Sequence, residues 1–306
     1  MFGAHLSISG GLENALIQAR HLGMECVQVF TKNQRQWATK PLHQEQIDLW
    51  HQHLKSSKVE STVSHDSYLI NLAAVDKEIR EKSIRLFVDE IERCEALAIP
   101  YLVMHPGAHV GQGESKGITR VVAALNRIHR SLKGYKTITC LEITAGQGTT
   151  LGYRFEHLRA ILDRVKEPER LAVCFDTAHA LAAGYDLTSH AGAKAVFQEF
   201  DDVIGLDRLK AFHLNDSKVE RGKRVDRHEN IGHGHVSIEA FRYLVNHAAF
   251  KRIPKILETP KGTDSRGRDW DRVNLATLRR LTQISGGKKA TKSSTTLRKK
   301  PTRSSR

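Results

Sequence analysis

The feature that most restricts how this chain can fold is a rhythm. Short β-branched or apolar runs recur along it, each followed by a longer stretch of helical periodicity. The runs are Phe2–Leu6, Cys26–Phe30, Ser61–His65, Tyr101–His105, Thr137–Ile143, Leu171–Asp176, Leu209–Leu214 and Pro254–Glu258. Gly11–Leu22 places apolar residues at Leu12, Ala15, Leu16, Ala19 and Leu22, and Lys77–Leu97 does so through Ile84, Phe87, Val88, Ile91 and Cys94. Ile118–Leu132, Phe155–Val165, Ala191–Ile204, Ile238–His247 and Trp270–Leu281 complete the helical set. Eight strands alternating with helices predict an α/β protein with a parallel sheet. At 306 residues that sheet is expected to close into a single-domain TIM (β/α)8 barrel.

Hydrophobic residues make up 40% and charged residues 27% of the chain, a globular composition. No apolar run approaches the roughly 20 residues a membrane helix requires, so no membrane partner is expected. The N-terminus lacks a basic-then-apolar leader, and Cys26, Cys94, Cys140 and Cys174 form no CxxC pair; reduced thiols in the cytoplasm are expected. The formal net charge is +14. Eight of the cations fall in residues 285–306, a Lys/Arg/Ser/Thr-rich tail without acids, leaving a net +6 on residues 1–284. The sequence therefore divides into a barrel domain at 1–284 and a tail at 285–306, expected to be disordered because it has too little apolar surface to offset its ordering entropy. The tail reads equally as an aid to nonspecific DNA binding or as a solvated end. The basic body favours a polyanionic partner.

Metal-type side chains stand at the C-terminal ends of six runs: His65, His105, Glu142, Asp176, His213 and Glu258. Barrel enzymes build their sites at that face. Any one of these taken alone is more often a satisfied polar residue; six together point to a site. His179 follows Asp176 by three residues. Asp226 and His228, at i and i+2, share one side of an extended segment. Histidine nitrogens and carboxylate oxygens suit Zn²⁺, and the lack of Cys ligands favours an open catalytic site over a closed structural one. Three divalent ions against four carboxylates leave residual positive charge, which attracts phosphate.

Several long motifs resemble the endonuclease IV family of apurinic/apyrimidinic endonucleases. They are Ser64-His65-Asp66-Ser67-Tyr68-Leu69-Ile70-Asn71, His105-Pro106-Gly107, Glu142 with Thr144-Ala145-Gly146-Gln147-Gly148, and Asp176-Thr177-Ala178-His179 with Ala182-Ala183-Gly184-Tyr185-Asp186. His213-Leu214-Asn215-Asp216, Asp226-Arg227-His228-Glu229-Asn230-Ile231-Gly232 and Glu258-Thr259-Pro260 follow in family order, and the similarity runs from Gly3-Ala4-His5 to about Leu281. The resemblance implies three zinc ions and no organic cofactor. His65 and His105 would hold the first, Glu142 would bridge to a second held by Asp176, His213 and Glu258, and His179, Asp226 and His228 would hold the third.

The resemblance further implies hydrolysis of the phosphodiester 5′ to an abasic site in double-stranded DNA, leaving a 3′-hydroxyl and a 5′-deoxyribose phosphate. Glu142 and Glu258 are the side-chain candidates for base catalysis. The segment Lys32-Asn33-Gln34-Arg35-Gln36-Trp37 and the pair Tyr68-Leu69 look like duplex-inserting loops, with Arg35, Tyr68 and Leu69 filling the gap left by a rotated nucleotide. A monomer is expected. Two positions depart from the family: Ile143 stands where Asn is common, and Gly232-His233-Gly234-His235 replaces a Gly-Glu-Gly loop. A metal-dependent sugar isomerase or epimerase on a related barrel is the alternative reading.

Overall fold

The computed structural model describes residues 1–38 and 40–283. The basic tail and the boundary at residue 284 lie outside the described residues. In chain order the strands are β1 (Phe2–His5), β2 (Cys26–Val29), β3 (Ser61–His65), β4 (Tyr101–Met104), β5 (Ile138–Glu142), β6 (Leu171–Asp176), β7 (Leu209–His213), β8 (Asp216–Ser217), β9 (His228–Glu229) and β10 (Lys255–Leu257). Eight of them close a barrel in the order β1-β10-β7-β6-β5-β4-β3-β2, while β8 and β9 form a separate two-stranded sheet. Every barrel pairing is parallel, and β1 closes the ring on β10 through Phe2↔Lys255, Gly3↔Ile256 and Ala4↔Leu257.

The helices among the described residues are α1 (Glu13–His21), α2 (Gln44–Ser56), α3 (Lys77–Ala96), α4 (Glu114–Ser131), α5 (Phe155–Arg164), α6 (Thr177–Ala183), α7 (His190–Val203), α8 (Ile238–Asn246) and α9 (Trp270–Gln283). None of the described helices is long and apolar enough to cross a membrane. Side-chain caps fix several starts: Asp76 accepts from the Ile79 amide at 2.9 Å, and Ser189 and Ser237 do the same for α7 and α8.

Two apolar layers follow from the strand pleat, which sends alternate residues to opposite faces. Val27, Val29, Leu102, Leu141, Val173, Phe175 and Phe212 point outward into the large core beneath the helices. Cys26, Val63, Val103, Cys140, Ala172, Cys174, Ala211 and Ile256 point inward and form a small plug. Both faces are covered, so buried residues occupy both sides of each strand instead of one. All four cysteines are buried and unpaired.

The eight expected strands are all present, with no end shifted by more than one residue. Helix α2 was not expected, although Ile47, Trp50 and Leu54 recur at i, i+3 and i+7; Trp50 is its one fully buried side chain, anchored by its indole N–H to the Leu97 carbonyl at 2.9 Å, with Ile47 and Leu54 partly buried against the core. Helix α4 starts four residues before the expected Ile118. Its first turn, at Glu114–Gly117, carries no apolar signal and depends on Gly113, which turns the chain at φ 89°. The expected helices Phe155–Val165 and Ala191–Ile204 are α5 and α7 with frayed ends.

Gly3 sits where β1 crosses the plug, and a Cβ there would run into the Cys26 carbonyl of the neighbouring strand. Gly3→Ala is therefore expected to lower folding stability by about 1–3 kcal/mol through overpacking at the closure, read by chemical denaturation.

Candidate metal centre at the barrel mouth

Eight side chains ring the C-terminal mouth, one from each barrel strand: His5, Gln28, His65, His105, Glu142, Asp176, His213 and Glu258. Each lies two residues beyond a barrel-lining residue: Gly3, Cys26, Val63, Val103, Cys140, Cys174, Ala211 and Ile256. The pleat thus lifts the polar layer directly above the apolar plug.

Glu142 is the centre of this ring and is wholly buried. Its Oε2 lies 3.1 Å from His65 Nε2 and 3.2 Å from His105 Nε2. Its Oε1 lies 2.8 Å from His213 Nδ1 and 3.2 Å from His179 Nδ1. His213 Nδ1 also faces Glu258 Oε2 at 3.2 Å and Asp176 Oδ2 at 3.8 Å.

The remaining residues come from two irregular elements. Asp176 ends β6 and caps α6, accepting the His179 amide on Oδ1 at 2.7 Å. The Asp176–His179 spacing thus acts through a helical first turn, where the expectation had been a simple strand end. The β8–β9 connection brings in Asp226 and His228: His179 Nε2 is 3.2 Å from Asp226 Oδ1 and 3.3 Å from His228 Nε2, which lies 3.6 Å from that same oxygen. The Gln147 side chain accepts the Asp226 amide at 2.9 Å and ties this loop to the β5–α5 loop.

All nine side chains expected as ligands therefore meet at one rim. Three groups have donor atoms within 4.8 Å of one another: His65–His105–Glu142, Glu142–Asp176–His213–Glu258 and Asp176–His179–His228. Asp176 faces the third group as well as the second, its Oδ2 being 3.5 Å from His228 Nε2, and Asp226 joins that group from the solvent side with 44% exposure. A further grouping places Cys174 with Glu142 and His213. Burial pushes the Cys174 thiol well up, so it keeps its proton at neutral pH.

The histidine hydrogen bonds fit a cation. His65 Nδ1 bonds the Asp66 carbonyl at 2.9 Å, His179 Nδ1 the Ile143 carbonyl at 3.0 Å and His228 Nδ1 the Glu258 carbonyl at 3.2 Å. A carbonyl only accepts, so each of these nitrogens carries a proton; the other ring nitrogen of His65 and His228 faces the carboxylates, and that of His179 faces Asp226, while its protonated Nδ1 also lies 3.2 Å from Glu142 Oε1. Ligands at about 2.0–2.2 Å from a tetrahedral ion stand roughly 3.4 Å apart, close to the contacts seen. The Ile143 side chain is buried in the outer core while its main-chain carbonyl holds His179, so the departure from Asn leaves this bond intact. His233 and His235 are exposed: Asp216 gathers the amides of Gly232, Gly234 and Val236 at 2.8–2.9 Å and turns both rings outward. Gly234 is required there, because a Cβ would strike the Ser217 carbonyl.

Burial opposes ionisation of Glu142, but His213 and His105 outweigh it and hold the carboxyl well below the usual range. Burial likewise opposes the charge on Glu258, which His213 and His5 overcome. Burial disfavours a charged His65, yet Glu142 draws its pKa up to about 10. His179 and His213 are also raised despite burial, the first through Asp176 and Asp226, the second through the charged Glu258 and Glu142. Without metal, these three rings therefore hold their second proton at pH 7, and a divalent cation must displace it. Zinc uptake by metal-free protein is expected to release protons, with affinity falling as pH falls. Titration calorimetry in buffers of different ionisation enthalpy reads this; heats independent of buffer would refute it.

Tyr68 is 71% exposed, its ring 5.7 Å from Phe30 and 6.2 Å from His65. Leu69 is half-buried, and Arg35 and Trp37 are exposed on the neighbouring β2–α2 loop. Ser67 Oγ donates to the Gln34 carbonyl at 2.6 Å and joins the two loops. Lys32 departs from the expected insertion segment. It is buried, paired with Glu90 at 2.8 Å and Asp89 at 3.1 Å, and anchors the loop instead of facing outward. Arg93 adds bonds to the Thr31 and Lys40 carbonyls. A cavity of about 200 Å³ opens beside His65 and His105, lined also by Tyr68 and Asn71.

Sequence reasoning passed over His5, Gln28 and Asn215. Asn215 donates to Asp176 Oδ2 at 2.7 Å and accepts the Glu258 amide at 2.7 Å. Gln28 bonds Glu258 Oε1 at 2.6 Å, His213 Nε2 at 2.8 Å and His5 Nδ1 at 2.9 Å. The signal available for His5 and Gln28 was their place two residues beyond a plug residue.

A family model described as "Xylose isomerase-like TIM barrel" matches residues 16–281. The chain is 50% identical over 282 residues to "Probable endonuclease 4" of Chloroflexus aurantiacus, covering 92% of this chain and 98% of that protein. It is 48% identical over 279 residues to the protein of that name from Geobacter sulfurreducens, covering 91% and 93%. The structure of endonuclease IV from Thermus thermophilus superposes with a TM-score of 0.80 at 32% identity, covering 92% of this chain and 99% of that one. A D-tagatose 3-epimerase-like protein superposes with a TM-score of 0.69 at 19% identity, a likeness of fold alone. With its barrel, its convergent ligand set and these relatives, the chain belongs to the endonuclease IV family.

Proposed function

We propose that this chain hydrolyses the phosphodiester 5′ to abasic sites in duplex DNA, leaving a 3′-hydroxyl and a 5′-deoxyribose phosphate, with three zinc ions held at the barrel mouth. Family membership makes it a metal-dependent, DNA-cleaving hydrolase of DNA repair. The observation that carries the finer reading is the donor arrangement: three contiguous groups, the first two sharing Glu142 and the last two sharing Asp176. His65 and His105 with Glu142 would hold the first ion; Glu142, Asp176, His213 and Glu258 the second; His179, Asp226 and His228 the third, with Asp176 alongside. Bound there, zinc supplies a water acidified to near neutrality and positive charge for the phosphate oxygens.

The chain's own groups then divide the remaining work. Glu142 has both oxygens turned to histidines and would hold the first two ions in common. Glu258 is the more open carboxylate, 18% exposed against 1% for Glu142, and is the better placed of the two to take a proton from an attacking water. Tyr68 and Arg35, on loops joined through Ser67, would fill the stack vacated by the lesion nucleotide, and the cavity beside His65 and His105 would receive its sugar. A nucleotide without a base costs less to rotate out, which favours damaged sites. The epimerase alternative leaves the His179–Asp226–His228 group without a role. A cytoplasmic location is part of the same proposal, supported by four cysteines buried as free thiols.

The deciding experiment is incision of a duplex carrying one abasic analogue. The zinc-loaded protein is expected to cut once, on the 5′ side, leaving an end that a polymerase extends; chelation abolishes cutting. Intact DNA with fully loaded protein would overturn the proposal, and one or two ions per chain with sugar turnover would favour the epimerase. Tyr68→Ala is expected to raise KM for that duplex by about tenfold with metal content unchanged. Binding should weaken steeply with salt, as phosphate contacts dominate.

A further inference from the structure

We propose that Gln28 is the positioning residue of the second metal group: its one amide sets the tautomer of His213 and the orientation of Glu258 together. This rests on the metal-centre reading above. Gln28 is wholly buried on β2, level with His5 in the β1–β2 register, and is one of two members of the mouth ring outside the nine ligands.

The chemistry leaves one arrangement of the amide. The Gln28 amide nitrogen donates to Glu258 Oε1, 2.6 Å away. The amide oxygen then faces His213 Nε2 at 2.8 Å and must receive that proton. His213 Nδ1, 2.8 Å from Glu142 Oε1 and 3.2 Å from Glu258 Oε2, is then the nitrogen that would give up its proton to a bound ion. Glu258 has its outer oxygen engaged and turns the inner one to the same point. The second N–H of Gln28 goes to His5 Nδ1 at 2.9 Å, and the His5 ring packs on Phe30 at 4.3 Å, so the amide is fully engaged and cannot turn over.

Three other ligand histidines are set by main-chain carbonyls of Asp66, Ile143 and Glu258. His213 is set by a side chain, which makes the device accessible to substitution. Asn215 supports the opposite flank, so the four-residue group is held from both sides. Asn at position 28 would be too short, and Glu would lack the N–H that Glu258 uses.

The test compares wild type, Gln28→Ala and Gln28→Glu as full-length, zinc-loaded protein, removing metal with graded chelator and counting ions per chain. Both variants are expected to release one ion about 10–100-fold more readily than wild type, with Gln28→Glu at least as weak as Gln28→Ala. Because Glu has the size of Gln, a packing role alone would leave Gln28→Glu like wild type, and that result overturns the proposal, as does wild-type retention in both variants. Nitrogen-15 NMR of the imidazoles supplies a second readout: His213 protonated at Nε2 in wild type, with that preference lost in Gln28→Ala. A wild type that takes up no transition metal overturns this inference and the proposed function together. One that takes up metal but leaves abasic DNA intact overturns the function alone.

Discussion

The pleat of eight parallel strands closed into a ring is the constraint from which the rest follows. Closure forces every inward side chain into one narrow column, and the two-residue period divides that column into layers. Below, Gly3, Cys26, Val63, Val103, Cys140, Cys174, Ala211 and Ile256, one from each strand, fill the ring with small groups. One layer higher, the same eight strands present seven ionisable groups and one amide. A layer of that composition, largely withdrawn from water, is costly unless its charges are paired, and the hydrogen bonds among its members show how the pairing is made. The layer beneath, of small apolar groups and neutral thiols, supplies the packed floor on which the polar layer rests.

Glu142 concentrates this electrostatic arrangement. It sits at the ring centre with four histidine nitrogens around its two oxygens, two on each. Carboxylates with lowered pKa values face histidines with raised ones, so protons take the places that divalent cations would occupy. Main-chain carbonyls from three different loops fix which histidine nitrogen faces inward. The loops are therefore part of the metal chemistry, even where their side chains vary, as at Ile143.

The surfaces around the mouth are held by a different device. Lys32 and Arg93 bury their charges at the base of the β2–α2 loop, against Glu90, Asp89 and the Thr31 and Lys40 carbonyls, while Arg35 and Trp37 remain at the tip. Ser67 joins that loop to the one carrying Tyr68. These exposed side chains thus stand on a clamped base, which would keep the ordering cost low for a partner that meets them.

Much of this was legible in the chain itself. The eight strands, most of the helices and all nine ligand candidates followed from periodicity, strand ends and family motifs, because these are properties of short segments. Helix α2 escaped because its apolar face is narrow, Ile47, Trp50 and Leu54 standing among ten other residues that are nearly all polar. The capping role of Asp176, the placing of Asp226 by Gln147, the burial of Lys32 and the outward turn of His233 and His235 were decided by partners distant in sequence. Gln28 shows the division most clearly. Its strand and its inward face are set by its own segment. Its contact with Glu258, 230 positions away in the chain, exists only because the barrel closes. Local pattern carries the direction in which a side chain points; only the closed ring determines what it meets there.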